Sequence, residues 1–572
     1  MSKTHWRILG ALLSGVLVAL CFPGEGFPYL SAGYVMPVAY VPLFLALESL
    51  SGTGATTNRH TKREGGSGQE RSQSRLSKFR TAFLLTWLSG FVTVLIAFFW
   101  CTYPAILFGG IPPLAAYPAF TAYAVLSATF FPVIFCPVIL NAAASGRRSS
   151  QPLAVFALAA CATGLEIWTP RFFSWSLGSL MHNSLSISQF ASIAGFHGIT
   201  LIILFSNLAI ARSLAHYRTS PVPAMTRIGV VTIVWFGVWL WGSQRLQRLE
   251  TEFAKGSKTH IGLVQPNFTF DELSSNPERT PGAQTQSLET LLDQSSQLIS
   301  RTKEKLDLLI WPESVAPGSF AQSLDQLERT KQLSQRTKVP ILAQATEFDR
   351  EEIKQHGYRN ATVYSTSFLL RPDLSRSPSY KKWVPIPFGE MVPLEDVFPE
   401  LGEFVRRNIG NTSKVGRGSS TDALPYSPNE FVAPLICFDA IDSNLPRLQT
   451  KFGRATLLAN QSNFVWMGHS SAGYQFKELV RFRAIENGRS AVLAANTGPS
   501  VIFSPTGREI SETTQLLVTA QLSAHAPVWR EQTLFTYWGK LPLHLLAGLG
   551  LVTIIWQLSN IGRKRQRPHT HR

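Results

Sequence analysis

The chain has 572 residues, of which 45% are hydrophobic and 16% charged, and 53 Lys and Arg against 36 Asp and Glu give a net charge of +17. The length admits more than one domain. The basic excess does not point to nucleic acid, because much of it sits in loops beside apolar stretches and in the tail, where topology and anionic lipid headgroups account for it.

From Met1 to about Gly242 the chain is mostly long apolar runs, from Gln244 to Tyr537 it is an ordinary globular mixture, and apolar sequence returns at 541–558. No aspartate occurs before Asp271. Such a half is poor material for metal or carboxylate-pair chemistry and good material for lipid, where ionised carboxylates are costly. Runs near the ~20 residues needed to cross a bilayer fall at about 8–22, 28–49, 82–101, 112–141, 152–168, 197–213, 228–243 and 540–560, which makes eight candidate spans. The fourth is long and Pro-rich, and a kink or two pieces are expected there. The first resembles a signal peptide ending at Cys21, but Leu20 is too large for a cleavage site, so an uncleaved span is expected.

Lys and Arg concentrate at Lys3 and Arg7, in the 51–80 loop (Arg59, Lys62, Arg63, Arg71, Arg75, Lys78, Arg80), at Arg147 and Arg148, at Arg212, Arg218 and Arg227, and in the tail "GRKRQRPHTHR". If every span crosses once, all five segments lie on one side. By the positive-inside rule that side is the cytoplasm, and the 244–537 domain lies outside it. The 51–80 loop, rich in Gly, Ser, Thr, Gln and Arg, reads as a disordered connector.

Of five cysteines, Cys21, Cys101, Cys136 and Cys161 lie in or beside apolar spans, which leaves Cys437 alone in the outside domain with no disulfide partner. A lone thiol is most often a small buried hydrophobe. There is no Cys-x-x-Cys, His-Glu-x-x-His, P-loop, Gly-x-Gly-x-x-Gly or Gly-x-Ser-x-Gly.

Within the outside domain, strands are expected at "THIGLVQPN" (259–267), "LDLLIWPESVAP" (306–317), "VPILAQATEF" (339–348), "ATVYSTSFLL" (361–370), "FVAPLICFDAID" (431–442) and "ATLLANQSNFVWMG" (455–468). Helical stretches are expected at 281–303 and 474–489, a hairpin at 490–510 and a last strand at 514–522. The alternation indicates an α/β domain with buried sheets.

Glu313, Lys382 and Cys437 each stand where a strand runs into a loop, a common place for catalytic side chains. Taken singly, Glu313 would be a solvated loop acid and Lys382 an exposed cation. Together they make a workable acyl-transfer set. A carboxylate takes the thiol proton, the thiolate forms a thioester, and an ammonium lowers the thiol pKa and steadies the oxyanion. Arg483 and Glu486, spaced i,i+3, read as a helix-surface pair or as a structural contact under the site, and Trp466 as packing.

"IWPES", "YKKWVPIPFGEMVPLE", "LICFDAI" and "RFRAIENGRSAVLAANTGPSVIFSPTG" resemble the nitrilase superfamily. The spans around that domain and "FFSWSLGS" (172–179) resemble the apolipoprotein N-acyltransferases within it. The resemblance implies a multi-span α-helical membrane domain (1–243), an extracytoplasmic αββα sandwich (244–537), and a final span with a basic cytoplasmic tail (538–572). It implies a Glu313 base, Lys382 and a Cys437 nucleophile, with Glu390, Tyr380, Phe438 and Asp439 in support. The activity it implies is transfer of a phospholipid acyl chain, through a cysteine thioester, to the amino group of diacylglyceryl-cysteine on a lipoprotein, in the bacterial inner membrane with the catalytic domain on the periplasmic side. No metal, organic cofactor or nucleic acid is implied, and a monomer is expected. Two departures stand out. Phe438-Asp439 replaces the family's Tyr-Glu, and Phe464 replaces an acid in "SNFVWMG". A membrane-tethered amidase with the same triad, and a non-catalytic scaffold, are the competing readings.

Overall fold

A computed structural model describes residues 2–26, 29–50, 68–107, 110–143, 152–171, 173, 175–269, 283–316, 320–321, 323–356, 362–387, 389–395, 397–409 and 415–566. Arg59, Lys62, Arg63, Arg147, Arg148, Phe172, Ser174, Phe388 and the last residues of the tail lie outside the described residues.

The N-terminal half is a helical bundle. Its main helices are α1 (Lys3–Ala19), α2 (Gly68–Ala97), α3 (Pro152–Trp168), α4 (Ala191–His216) and α5 (Pro221–Lys255). Among the described residues, four helices are long and apolar enough to cross a bilayer: Ser74–Ala97, Pro113–Ile134, Ala191–His216 and Pro221–Lys255. Pro152–Trp168 and Leu541–Trp556 are apolar but shorter. Helix α4 is the axis, with 89% of its apolar window buried, whereas only 17% of that of α5 is covered. The bare face of α5 carries Val222, Ile233, Phe236 and Trp239, an apolar surface suited to lipid.

Two expectations change here. The 51–80 stretch is not all connector, since helix α2 begins at Gly68. The 28–49 run is not one helix but a short turn and Val41–Glu48, which has Pro42 in its first turn. Pro37, with no N–H to donate, lies in the break, and Asn207 of α4 fills it. It accepts from the Tyr40 N–H at 2.7 Å and donates to Met36 O at 2.8 Å, so it satisfies backbone groups that a continuous helix would have paired. The Pro-rich 112–141 run breaks as expected, into Pro113–Ser127, Phe130–Ile134 and Cys136–Ala143.

Basic residues from separate segments gather at one end of the bundle. Arg7 donates to Ser49 Oγ at 2.8 Å, Arg212 meets Glu48 at 3.1 Å and Asn141 at 2.8 Å, and Arg227 reaches Ser213 at 3.2 Å. The opposite end leads into the second domain through α5, which continues without interruption past residue 243 to Lys255.

That domain is a sandwich of two sheets. Its strands are β1 (Lys258–Gln265), β2 (Leu308–Ile310), β3 (Ile341–Phe348), β4 (Val363–Leu370), β5 (Tyr380–Lys381), β6 (Leu424–Ser427), β7 (Glu430–Ile436), β8 (Leu457–Ser462), β9 (Ser490–Ala495), β10 (Val501–Phe503) and β11 (Ala520–Pro527). One sheet runs β11-β1-β2-β3-β4-β5 and the other β10-β9-β8-β7-β6, with β7, β8 and β9 parallel. The last strand begins later than the expected 514–522.

Alternation along the strands sorts the side chains. Ile261, Leu263, Leu308, Ile310, Val432 and Val492 pack between the sheets. Helices α6 (Ala283–Arg301) and α7 (Leu324–Thr337) cover the outer face of the first sheet through Leu288, Leu291 and Leu333. The outer face of the second sheet is covered by α8 (Ala472–Asn487), and its residues Ala433, Leu435 and Leu493 share one hydrophobic cluster with the bundle. The two domains thus have a common core on that side. The final helix, α9 (Leu541–Gln566), returns to pack on α3.

The domain contact includes a buried ion pair. Arg483 and Glu486 approach to 3.1 Å with side chains at most 1% exposed, and Glu486 accepts from the Phe196 N–H at 3.1 Å. The pair is therefore a structural contact rather than a surface one. Phe196 is free to donate because α4 breaks at Ala194 and Gly195, the glycine at φ +67.

Candidate active site

Cys437 is the first residue after β7, opening a single helical turn, Cys437–Ile441. Its φ of +46 is unusual for a side-chain-bearing residue, a local cost of about 1–3 kcal/mol that surrounding contacts must hold. Asp439 does much of that holding. Its carboxylate accepts from Ile436 N–H (2.9 Å), Trp383 N–H (3.0 Å), Val384 N–H (2.7 Å) and Tyr380 OH (2.8 Å). One buried acid thereby ties the thiol turn to the segment that follows β5.

Glu313 follows β2, and Ser314 beside it has φ +54. Its loop is fixed by two buried amides. Gln344 Oε1 accepts from the Ser314 N–H at 2.6 Å, and Gln461 Nε2 donates across the sheets to Trp311 O at 2.7 Å. Lys382 is tied to β4 by its own N–H, which donates to Ser365 O at 2.8 Å.

These three loops bring the triad residues together. Lys382 Nζ lies 3.2 Å from Glu313 Oε1 and 2.8 Å from Glu390 Oε1, with its side chain wholly buried. The Cys437 thiol lies close enough to Glu313 and Lys382 for both to act on its charge. Glu390 accepts from the Ile386 N–H through its other oxygen at 2.8 Å, so it braces both the lysine and its loop.

Burial works against the Lys382 ammonium, but Glu313 and Glu390 outweigh it and hold the group charged, well above the ordinary lysine range. Burial pushes Glu313 up, with Lys382 opposing. Burial, reinforced by Glu313, pushes the Cys437 thiol well above its usual value, and Lys382 counters only in part. The expected lowered thiol therefore gives way to a protonated one. Such a thiol can attack only once its proton has passed to a base. Burial raises Asp439 to about 6.

Phe438 points away from this polar cluster. Its ring meets Phe173 of the bundle, with centroids 5.7 Å apart, and lies 6.5 Å from Phe476 of α8. Phe464, the other departure, packs edge-on to Phe476 at 5.3 Å. Phe438 also lines a cavity of about 50 Å³ with Phe22, Phe98, Trp100, Phe173 and Trp175. A second, of about 30 Å³, shares Phe98, Phe173 and Trp175 and reaches Glu166 and Arg171. Trp100 further borders an open groove of about 420 Å³ between the domains.

Trp466 packs, donating to Asn463 O at 2.8 Å. Trp383, Val384 and Ile386 lie against the shared core. The strongly exposed apolar side chains come later, at Leu394, Val397, Phe398 and Phe404, around an amphipathic helix, Pro399–Ile409.

Several residues of the site escaped the sequence reading: Gln344, Gln461 and, near the end of the apolar helix α3, Glu166, which accepts from Ser176 Oγ at 3.1 Å and Leu177 N–H at 2.9 Å. The available signal was a polar residue inside an apolar run, as in "ILAQATEF", "LLANQS" and "GLEIW".

Residues 273–526 match the carbon-nitrogen hydrolase family, and residues 69–209 match the apolipoprotein N-acyltransferase N-terminal domain. An apolipoprotein N-acyltransferase of Geobacter metallireducens is 28% identical over 93% of this chain and 91% of its own length. One from Chlorobaculum tepidum is 25% identical over 95% of each. Among solved structures, Nit3 of Saccharomyces cerevisiae, described as a member of the nitrilase superfamily, aligns over 50% of this chain and 95% of its own, with 14% identity and a TM-score of 0.34.

Proposed function

We propose, on the premise of the matches of residues 69–209 to the apolipoprotein N-acyltransferase N-terminal domain and of residues 273–526 to the carbon-nitrogen hydrolases, that the chain N-acylates lipoproteins by a two-step transfer through Cys437. In the first step Glu313 takes the thiol proton as Cys437 attacks the ester carbonyl of a phospholipid. The charge on the carbonyl oxygen develops beside the buried Lys382 ammonium. The ester bond breaks, and the lysophospholipid leaves with the proton from Glu313. In the second step the α-amino group of a diacylglyceryl-cysteine attacks the thioester. Glu313 takes the amine proton and returns it to the departing thiolate, leaving an amide.

The observation that carries this reading is the convergence of Glu313, Lys382 and Cys437 in one buried cluster, next to an aromatic cavity shared with the bundle. An amidase needs no such cavity. A lipid acyl chain does, and it enters by turning aside rings such as Phe438 and Trp175, since the space between them is narrow.

Sidedness follows from charge. The gathering of Arg7, Arg212 and Arg227 at the bundle end remote from the sandwich supports a cytoplasmic location for that end. The catalytic domain then faces the periplasm, beside the leaflet holding both substrates. The protruding Leu394, Val397, Phe398 and Phe404 are suited to dip into that leaflet.

The test is direct. Purified protein incubated with phospholipid alone is expected to carry one hydroxylamine-labile acyl group on Cys437, which a diacylglyceryl peptide then discharges as an amide. Release of free fatty acid with no acyl group on Cys437 overturns the two-step transfer.

A further inference from the structure

At the edge of the first sheet farthest from Lys382, three side chains of metal-binding type meet. His260 of β1 and His525 of β11 are direct cross-strand partners in an antiparallel pair. Their rings stack with centroids 4.1 Å apart. Glu304, in the turn between α6 and β2, brings a carboxylate oxygen to 3.3 Å from His525 Nε2. One donor atom from each of the three lies within 4.8 Å of the others.

The protonation pattern of His260 is set. Its Nδ1 faces the backbone carbonyl of Lys305 at 3.2 Å. A carbonyl only accepts, so Nδ1 carries the hydrogen and Nε2 keeps its lone pair. An imidazole whose Nδ1–H is held by a carbonyl while Nε2 stays free is the arrangement that orients histidine ligands of metals. The strand itself is anchored, because the His260 N–H donates to Asp307 at 2.8 Å.

We propose that His260, His525 and Glu304 form a binding site for a divalent metal ion of the zinc class. Two imidazoles and one carboxylate suit zinc, cobalt, nickel or copper rather than the all-oxygen preferences of calcium and magnesium. A tetrahedral ion holds its donors about 3.3 Å apart. His525 and Glu304 are both exposed and close the difference by rotating, while His260 stays fixed. The fourth position is left to water. A bound ion clips the α6–β2 turn onto β11, an edge strand that otherwise ends the sheet.

The test uses the purified full-length protein. Zn²⁺ is titrated against a chromophoric chelator, and Co²⁺ is added to read the visible bands of a tetrahedral nitrogen–oxygen set. Wild type is expected to hold one ion whose affinity falls at least about tenfold in His525→Ala and in Glu304→Gln. A His569→Ala/His571→Ala variant, which removes the tail histidines, retains that ion. Zn²⁺ is expected to raise the unfolding midpoint of wild type and not that of His525→Ala. Should His525→Ala fail to fold, Glu304→Gln, altered only on an exposed turn, carries the same comparison. Equal affinity in wild type and Glu304→Gln, or no ion bound in wild type, overturns the assignment.

Discussion

Two surroundings flank the turn that carries Cys437, a buried polar cluster and an aromatic cavity, and they are built on opposite principles. On one side Lys382, Glu313, Glu390 and Asp439 are buried or nearly so, and each is bonded to a charged or backbone partner. On the other, Phe438, Phe173, Trp100 and Trp175 surround space they do not fill. The polar side positions charge once and does not need to move, because a buried charge out of place is expensive. The aromatic side works only by yielding. Phe438 and Asp439 are separated by one peptide bond, yet one lines the cavity and the other belongs to the polar cluster.

The largest break in this contrast should come from the polar side. Cys437→Ala is expected to cut acyl transfer by at least about 10³-fold and to leave no acyl group on the protein in mass spectra. Lys382→Met and Glu313→Gln should each cost about 10²–10³-fold in kcat.

Asp439→Asn tests whether the brace matters apart from the chemistry. The change keeps two acceptor lone pairs where four donors converge, and about a tenfold fall in kcat is expected, at an orphaning cost of about 1–3 kcal/mol read from the unfolding midpoint. Its pH signature has a definite sign. Asp439 holds its proton up to about pH 6 when folded against 3.8 ordinarily. Between those values the native state binds more protons than the unfolded one, so this contribution to stability falls as pH rises through the window and is flat above it. In Asp439→Asn that slope should vanish.

At the membrane face, Phe398→Asp is expected to raise KM for phospholipid in vesicles about threefold to tenfold and to leave turnover of a short-chain soluble ester unchanged. The smallest effect belongs to the aromatic pocket. Phe438→Leu widens it and should shift acyl-chain preference toward longer chains by about two- to threefold, measured by competition between donors. A shift larger than the loss in Lys382→Met would invert the contrast between the pockets.

Most of the polar side could be read from the sequence, because Glu313, Lys382 and Cys437 sit in motifs where a strand meets a loop. The braces Gln344 and Gln461 could not, since a glutamine inside a strand shows no partner until two sheets are laid together. The aromatic side was illegible for a related reason. Phe438 looked like a departure at the nucleophile, whereas its ring is paired with Phe173, 265 positions earlier and in another domain. The thiol was expected to be acidified by Lys382. Burial reverses that balance, and burial has no one-residue signature. Helix breaks at prolines were foreseeable, Pro37 within 28–49 included, but the partner that satisfies that break is Asn207, a single amide on a distant helix.

Helix α5 runs 35 residues without interruption from Pro221 to Lys255, and β1 starts three residues later. At about 1.5 Å per residue it measures about 50 Å, against a hydrocarbon layer of about 30 Å. It therefore works as a measuring rod rather than a tether. In the proposed topology this count helps set the height of the thiol above the lipid, and the shared core keeps the sandwich from tipping. Inserting one residue near Gln247 would lift the domain by only about 1.5 Å but turn it by about 100°, tearing that core. Inserting seven residues, close to two turns, would keep the facing but lift the domain by about 10 Å and part the same core. Under the proposed acyl transfer, which lipid carbonyl reaches Cys437 then depends on the length of this helix together with the core that locks it in place.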